Sequence, residues 1–148
     1  ADLAVFNPKS RSEYRKATRK TLGLKRNEVV ILFAGNNFRL KGLEPLIKSL
    51  KLLKNEISPF PSFRLLVAGN DSPDRWRRQC RREGVEPEVM FLGHVQTMRD
   101  LYAASDIFAF PTFFDSFSLV VLEALASGLP VVTTKWCGAA FLIESPKT

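Results

Sequence analysis

This chain of 148 residues is poor in the groups that most α/β enzymes use for chemistry. It has one histidine, His94, and two cysteines, Cys80 and Cys137, which form no C-x-x-C pair. A zinc site of the usual type is therefore not expected, and both thiols read as reduced cysteines of a cytosolic chain. No two glycines stand two residues apart, which removes the dinucleotide fingerprint G-x-G-x-x-G. The phosphate loop G-x-x-x-x-G-K-[ST] and the nucleophile elbow G-x-S-x-G are also absent. There is no Asp-x-Asp pair to hold a divalent ion against a diphosphate, so no metal and no resident cofactor are expected. No apolar run approaches the ~20 residues that span a bilayer. The opening Ala1-Asp2-Leu3-Ala4 has neither half of a signal peptide. The first residue is not Met, so a preceding segment is expected to have been removed.

Cations are missing from one stretch and crowded in others. Ala103 to Thr134 contains no Lys or Arg, although the net charge is +7. Basic residues gather at Lys9, Arg11, Arg15, Lys16, Arg19, Lys20, Lys25 and Arg26, and again at Arg75, Arg77, Arg78, Arg81 and Arg82. Two readings are open: solvated helix faces, or attraction to an anionic partner such as an acidic membrane surface. No aromatic interleaving or zinc-finger spacing accompanies the charge, so specific nucleic-acid binding is not expected.

What the sequence does have is a set of short, continuously apolar runs. They are residues 29–34, 63–68, 89–92, 107–110 and 131–134. Runs that do not alternate in polarity belong to strands buried on both faces, which is how parallel sheets read. Between them lie helical patterns. Leu43, Leu46, Ile47, Leu50 and Leu53 recur at helical spacing, and Pro45 suits a first turn. Residues 74–83 predict a basic helix stopped near Gly84, residues 97–104 a short one with Thr97 as cap, and residues 118–127 one ended by Gly128 and Pro130. Residues 11–22 predict another, and residues 58–62 a loop. Strand and helix in alternation give βαβ units, so the expected fold is a Rossmann-like three-layer α/β/α domain with a parallel sheet. Ligands of such sheets sit beyond the carboxyl ends of the strands. That selects the loops after Gly35, Gly69, Gly93, Pro111 and Thr134.

The loop after Pro111 carries Asp115, and a helix follows it with Glu123 about five residues in. The first amides of a helix lack internal partners and its dipole end is positive, which makes an anion site from backbone alone. A diphosphate there would set an attached ribose near Glu123, whose carboxylate accepts hydrogen bonds from hydroxyls. Asp115 could accept from a group on the far phosphate. The plainer alternative is that Asp115 or Ser116 caps the helix and Glu123 is a helix surface charge. Glu123, however, stands among Val120, Val121, Leu122, Ala124, Leu125 and Ala126, where a charge needs a partner or a wet cleft. At Gly35 the backbone permits close approach, and Arg39 and Lys41 offer cations at the same edge. His94 has no sequence neighbour to serve as catalytic partner, though its loop could border a base pocket. Cys137-Gly138 is too sparse to interpret.

In order along the chain, Leu32-Phe33-Ala34-Gly35, Lys41-Gly42, Leu66-Val67-Ala68-Gly69, Phe91-Leu92-Gly93-His94 and the whole of Pro111 to Pro130 resemble glycosyltransferase family 4. These are retaining, metal-independent nucleotide-sugar transferases of GT-B fold. Phe38-Arg39-Leu40-Lys41-Gly42 is similar to the "F-x-x-K-G" loop of bacterial lipopolysaccharide core glucosyltransferases. The resemblance implies a donor half of a GT-B enzyme over residues 1–148, with the acceptor half absent and the C-terminal end truncated. It implies a nucleotide-diphosphate sugar donor, UDP-linked, and a lipopolysaccharide core, another glycan or a lipid as acceptor. The implied place is the cytoplasm, at the inner membrane face. The family's two-glutamate motif falls on Asp115 and Glu123, with seven residues between them. By that match Glu123 binds ribose and Asp115 the donor sugar. Lys41 and Arg39 hold the diphosphate with the amides of Phe117, Ser118, Leu119 and Val120, and Asp115, Lys41 and Arg39 serve the transfer step. Gly35 and His94 complete the expected binding set. Two departures stand out: Asp115 is one methylene shorter than the usual Glu, and Ser116 and Ser118 replace the common Gly or Pro. A non-catalytic Rossmann-like module binding a nucleotide or an acidic partner is the rival reading.

Overall fold

Apolar strands buried on both faces need helices above and below, and the chain supplies them in alternation. The computed structural model describes residues 1–56 and 61–143. Its strands are β1 (Val29–Ala34), β2 (Phe63–Ala68), β3 (Val89–Gly93), β4 (Ile107–Phe110) and β5 (Val131–Thr133). Its helices are α1 (Lys9–Thr21), α2 (Leu43–Glu56), α3 (Asp74–Glu83), α4 (Met98–Ala104) and α5 (Leu119–Ala126), with short 3-10 turns at Glu86–Glu88 and Gly138–Leu142. Of the loop predicted at 58–62, residues 58–60 lie outside the described residues.

All strand pairs are parallel, and the order across the sheet is β3-β2-β1-β4-β5. Val30, Leu32 and Phe33 of β1 and Leu65, Leu66 and Val67 of β2 have no exposed surface, so these strands form the centre of the core. Burial of each such side chain contributes roughly 2 kcal/mol. From β1 the chain first moves towards β3, then returns past β1 to β4 and β5. With right-handed crossovers, α2 and α3 cover one face and α4 and α5 the other. The reversal opens a crevice at the carboxyl ends of β1 and β4, the place where such sheets bind ligands. The Rossmann-like parallel sheet predicted from the apolar runs is the fold observed.

The basic N-terminal segment is only partly a solvated face. Arg11, Arg15 and Arg19, one helical turn apart on α1, converge on Asp106 at the entry to β4. Arg11 and Arg15 reach its Oδ1 at 2.9 and 2.7 Å, and Arg19 its Oδ2 at 3.3 Å. The same guanidiniums donate to the carbonyls of Ala103, Ala104 and Ser105, where α4 ends and its orphan carbonyls need donors. Arg19 also donates to the carbonyls of Lys25 and Glu28. Asp106 Oδ2 accepts from the Val30 amide at 2.9 Å, so one carboxylate joins α1, α4, β1 and β4. Burial by itself would raise the Asp106 carboxyl. The Val30 amide and the guanidiniums of Arg15 and Arg11 outweigh it and hold the group below its ordinary value.

Exposed cations remain on α1 and beyond it at Lys16, Lys20 and Arg26. On α3, Arg75 and Arg77 lie over the rings of Trp76 and Phe91. Because α1 packs on α4 and α3 on α2, the two basic clusters lie on opposite faces of the sheet. Thr97 precedes α4 as predicted but makes no capping bond through its side chain. Burial pushes the Cys80 thiol up to about 11, with Glu86 adding to it, so Cys80 is an inert core residue. No described helix is long and apolar enough to cross a membrane.

Candidate functional site

The crevice between β1 and β4 is narrow because glycine lines it. Gly42 has φ +83° and sits so close to Pro111 that a β-carbon would stand 2.0 Å from the Pro111 carbonyl oxygen. Two loops are thereby pressed together and then bonded. The Leu40 carbonyl accepts from the Phe113 amide at 2.9 Å and from the Thr112 hydroxyl at 3.2 Å. On the other side of the β1 loop, Asp71 accepts from the Asn37 and Phe38 amides at 2.8 and 2.7 Å. Asn36 accepts from the Asn70 amide at 3.1 Å. The segment bearing Arg39 and Lys41 is thus held from both neighbouring strands.

This framing brings Lys41 to Asp115. The ammonium lies 2.7 Å from Asp115 Oδ2, and both side chains are less than a fifth exposed. Lys41 also reaches the Phe114 carbonyl at 3.3 Å. Asp115 Oδ1 accepts from the Phe117 amide at 3.1 Å. The backbone of Asp115 is fixed by a segment that sequence could not interpret. Its amide donates to the Trp136 carbonyl at 3.2 Å, and its carbonyl accepts from the Gly138 amide at 2.7 Å. Gly138 fits there only without a side chain, since a β-carbon would stand 2.0 Å from the Ser116 carbonyl oxygen.

The helix α5 begins at Leu119, after Ser118 in the left-handed region at φ 59°. Of the four amides predicted to face an anion, Phe117 is occupied by Asp115. Those of Ser118, Leu119 and Val120 donate to no described residue. Phe113, Phe114, Phe117 and Leu119 around this helix start are each more than half exposed, an apolar rim beside a polar centre.

Glu123 sits on α5 with its Oε2 accepting from the Tyr102 hydroxyl at 2.9 Å. So the charge in an apolar helix has its partner, and it comes from α4. Arg39 is exposed and lines a groove of about 690 Å³ with Asn37, Leu40, Glu44, Pro45, Lys48 and Phe113, beside the Lys41–Asp115 pair and not in contact with it. A β-carbon on Gly35 would meet the Phe110 ring at 3.4 Å and Lys41 Cγ at 3.5 Å, while its carbonyl is approached from behind by Gly69. Gly69 packs so that a β-carbon on it would stand 1.9 Å from the Gly35 carbonyl. His94 is exposed beyond the end of β3, the edge strand. Three strand spacings separate β3 from β4, roughly 14 Å, so the structure does not bring His94 to Asp115. Among the described residues no three His, Cys, Asp or Glu side chains cluster as metal ligands.

The arrangement therefore offers one cation, two carboxylates and three free amides at a single topological switch point. A ligand with clustered negative charge flanked by hydroxyl-bearing groups matches that set.

Lipopolysaccharide glucosyltransferase WaaG of Escherichia coli (strain K12) is 32% identical over 136 residues, which cover 92% of this chain and 35% of that protein. D-inositol 3-phosphate glycosyltransferase of Corynebacterium glutamicum (strain R) is 30% identical over 155 residues, covering 100% of this chain and 37% of the relative. Among solved structures, Anabaena Alr3699/HepE in complex with UDP and glucose superposes with a TM-score of 0.82 at 27% identity, over 98% of this chain and 39% of that one. The crystal structure of WaaG gives a TM-score of 0.81 at 30% identity, over 87% and 34%. The chain spans about a third of the length of the curated relatives it matches. WaaG and the Corynebacterium relative are glycosyltransferases, and the domain has the Rossmann-like architecture of one half of a GT-B fold. A family model described as "Glycosyl transferases group 1" matches residues 28–148, and the chain belongs to that family.

Proposed function

We propose that this chain is the donor-binding domain of a retaining, metal-independent glycosyltransferase and takes a UDP-linked hexose. The observation that carries the reading is the start of α5, where the free amides of Ser118, Leu119 and Val120 adjoin the Lys41–Asp115 pair. A diphosphate seated there receives backbone hydrogen bonds, the helix dipole and the Lys41 ammonium together. Arg39, on the same loop, approaches from the neighbouring groove. Glu123, about one turn further along α5, accepts from the ribose hydroxyls. Asp115, drawn back by Lys41, accepts from the donor sugar.

In transfer, the glycosidic C–O bond breaks with oxocarbenium-like character and charge grows on the departing diphosphate. The amides and Lys41 are strongest on that charge, so they stabilise the transition state more than the bound donor. The acceptor oxygen bonds to the anomeric carbon from the face the phosphate leaves, which retains configuration, and its proton passes to the leaving phosphate. HepE has been solved with UDP and with UDP-glucose, which supports uracil as the base here. WaaG acts as a lipopolysaccharide glucosyltransferase, which supports a lipopolysaccharide core or similar glycan as acceptor and the cytoplasmic membrane face as the place of reaction. Contact with an acidic lipid surface would fall to Lys16, Lys20 and Arg26, since Arg11, Arg15 and Arg19 are engaged inside the fold. The chain alone binds donor and transfers little or no sugar, because its relatives are about three times as long.

Calorimetry with UDP, UDP-glucose and GDP-mannose, in chelator, tests the reading. UDP and UDP-glucose bind, and Glu123→Ala weakens both by at least tenfold, the worth of a charge-assisted hydrogen bond of about 1.5 kcal/mol. No nucleotide binding, with tight binding of nucleic acid instead, would establish the rival non-catalytic module.

A further inference from the structure

Tyr102 is nearly sealed, with 1% of its surface exposed, yet its hydroxyl points at a functional carboxylate. The ring packs edge-on to Phe6 at 5.8 Å and to Phe108 at 5.9 Å, which fixes its direction. The oxygen lies 2.9 Å from Glu123 Oε2 and 3.2 Å from the Val120 carbonyl. One hydroxyl has one proton, and the nearer, charged acceptor takes it. Burial first, and the Glu123 charge second, push the phenol far above its ordinary value, so it stays a proton donor at any working pH. Glu123 Oε1, by contrast, accepts from no described residue and is not sealed off from solvent.

We propose that Tyr102 is the positioning residue of the ribose site: its hydroxyl holds Glu123 Oε2 so that Oε1 alone faces the ligand as hydrogen-bond acceptor. A free glutamate has three rotatable bonds and loses that freedom on binding. A glutamate tied through one oxygen to a ring locked between Phe6 and Phe108 has already lost it. The acceptor is then preset for the ribose hydroxyls, and a nucleotide lacking them forfeits the gain. This inference rests on the donor-site reading above and assigns Tyr102 to it.

The test compares UDP with 2′,3′-dideoxyuridine diphosphate on the wild-type chain and on Tyr102→Phe, by calorimetry. The substitution keeps the ring and its packing, and a melting curve checks that the fold survives. The wild type prefers UDP by roughly tenfold or more, the worth of one charge-assisted hydrogen bond. Tyr102→Phe lowers UDP affinity, leaves the dideoxy affinity unchanged and shrinks the preference to about threefold or less. In a Glu123→Ala background, adding Tyr102→Phe changes nothing further. If Tyr102→Phe weakens both nucleotides equally, its role is general support of α5 and the inference is overturned, while the donor site stands. If the wild type binds UDP without preference for the hydroxyls, the inference also falls. If the wild type binds no UDP, the donor-site reading itself fails and takes this one with it.

Discussion

Replacing Asp106 with Asn tests whether the three-arginine junction holds α1 and α4 to the sheet. In the native chain, Asp106 Oδ1 serves Arg11 and Arg15 while Oδ2 serves Arg19 and the Val30 amide. An amide has one acceptor oxygen. If it faces the arginines, its NH2 meets the Val30 amide; if it faces Val30, its NH2 meets two guanidiniums. Either way donor opposes donor, and three like charges lose their shared counter-charge. Breaking a fully buried pair costs about 3–5 kcal/mol. Here the carboxylate is 24% exposed and Arg11 is 42% exposed. Water screens part of the loss, and the guanidiniums keep their carbonyl acceptors. The expected destabilisation is about 2–3 kcal/mol at pH 7. For a chain of this size that lowers the melting point by about 5–10 °C.

The effect has a definite pH dependence. The Asp106 carboxyl is held below its ordinary value of 3.8 in the folded chain. Its stabilisation is therefore complete above that value and is lost as pH falls through the lower folded value. Urea unfolding of both proteins, followed by circular dichroism from pH 7 to pH 3, reads this directly. The gap is full at neutral pH and starts to close only below about pH 4. A loss under about 1 kcal/mol at pH 7, or a gap independent of pH, would refute the assignment of Asp106 as a charged junction.

Two further substitutions probe the entrance to α5. Gly138→Ala forces a β-carbon against the Ser116 carbonyl and parts the 137–139 segment from Asp115. It should cost about 1–3 kcal/mol in urea unfolding and reduce UDP affinity in calorimetry. Unchanged affinity would show that the Asp115 loop keeps its shape unaided. Ser118→Gly removes a side chain from a left-handed position and a buried hydroxyl with no partner among the described residues. It should raise stability by about 1 kcal/mol in the same assay, and a loss of stability would mean that the hydroxyl has a partner in solution.

How far the sequence reached differs residue by residue. Lys41 and Asp115 lie 74 positions apart and stand out in the sequence on separate grounds, a cation in one loop and an acid before a helix. Their pairing depends on β4 returning beside β1, which is a property of strand order. Glu123 stands out because a charge in so apolar a helix demands a partner. The partner, Tyr102, carried only the ordinary signature of a helix face in a short amphipathic stretch. Gly138 gave no signal at all, since a glycine that answers to close packing looks like any loop glycine. The sequence places His94 at the carboxyl edge of the sheet, but distance along that edge is invisible until the strands are ordered.

By itself, the sequence determined the fold class and the edge at which to look. Continuous apolar runs alternating with amphipathic segments point to a parallel sheet between helices, and the burial they imply holds at β1, β2 and β4 but only in part at the edge strands β3 and β5, where Val132 is 59% exposed. Those are local and periodic properties, written in neighbouring residues. The tertiary structure alone decided which charges are free. Arg11, Arg15 and Arg19 read as surface cations until the end of α4 and Asp106 were placed beneath them. Lys41 reads as a loop cation until Asp115 comes to it. A charge's availability depends on what lies within a few ångströms of it, and chain distance does not encode that until the chain has folded.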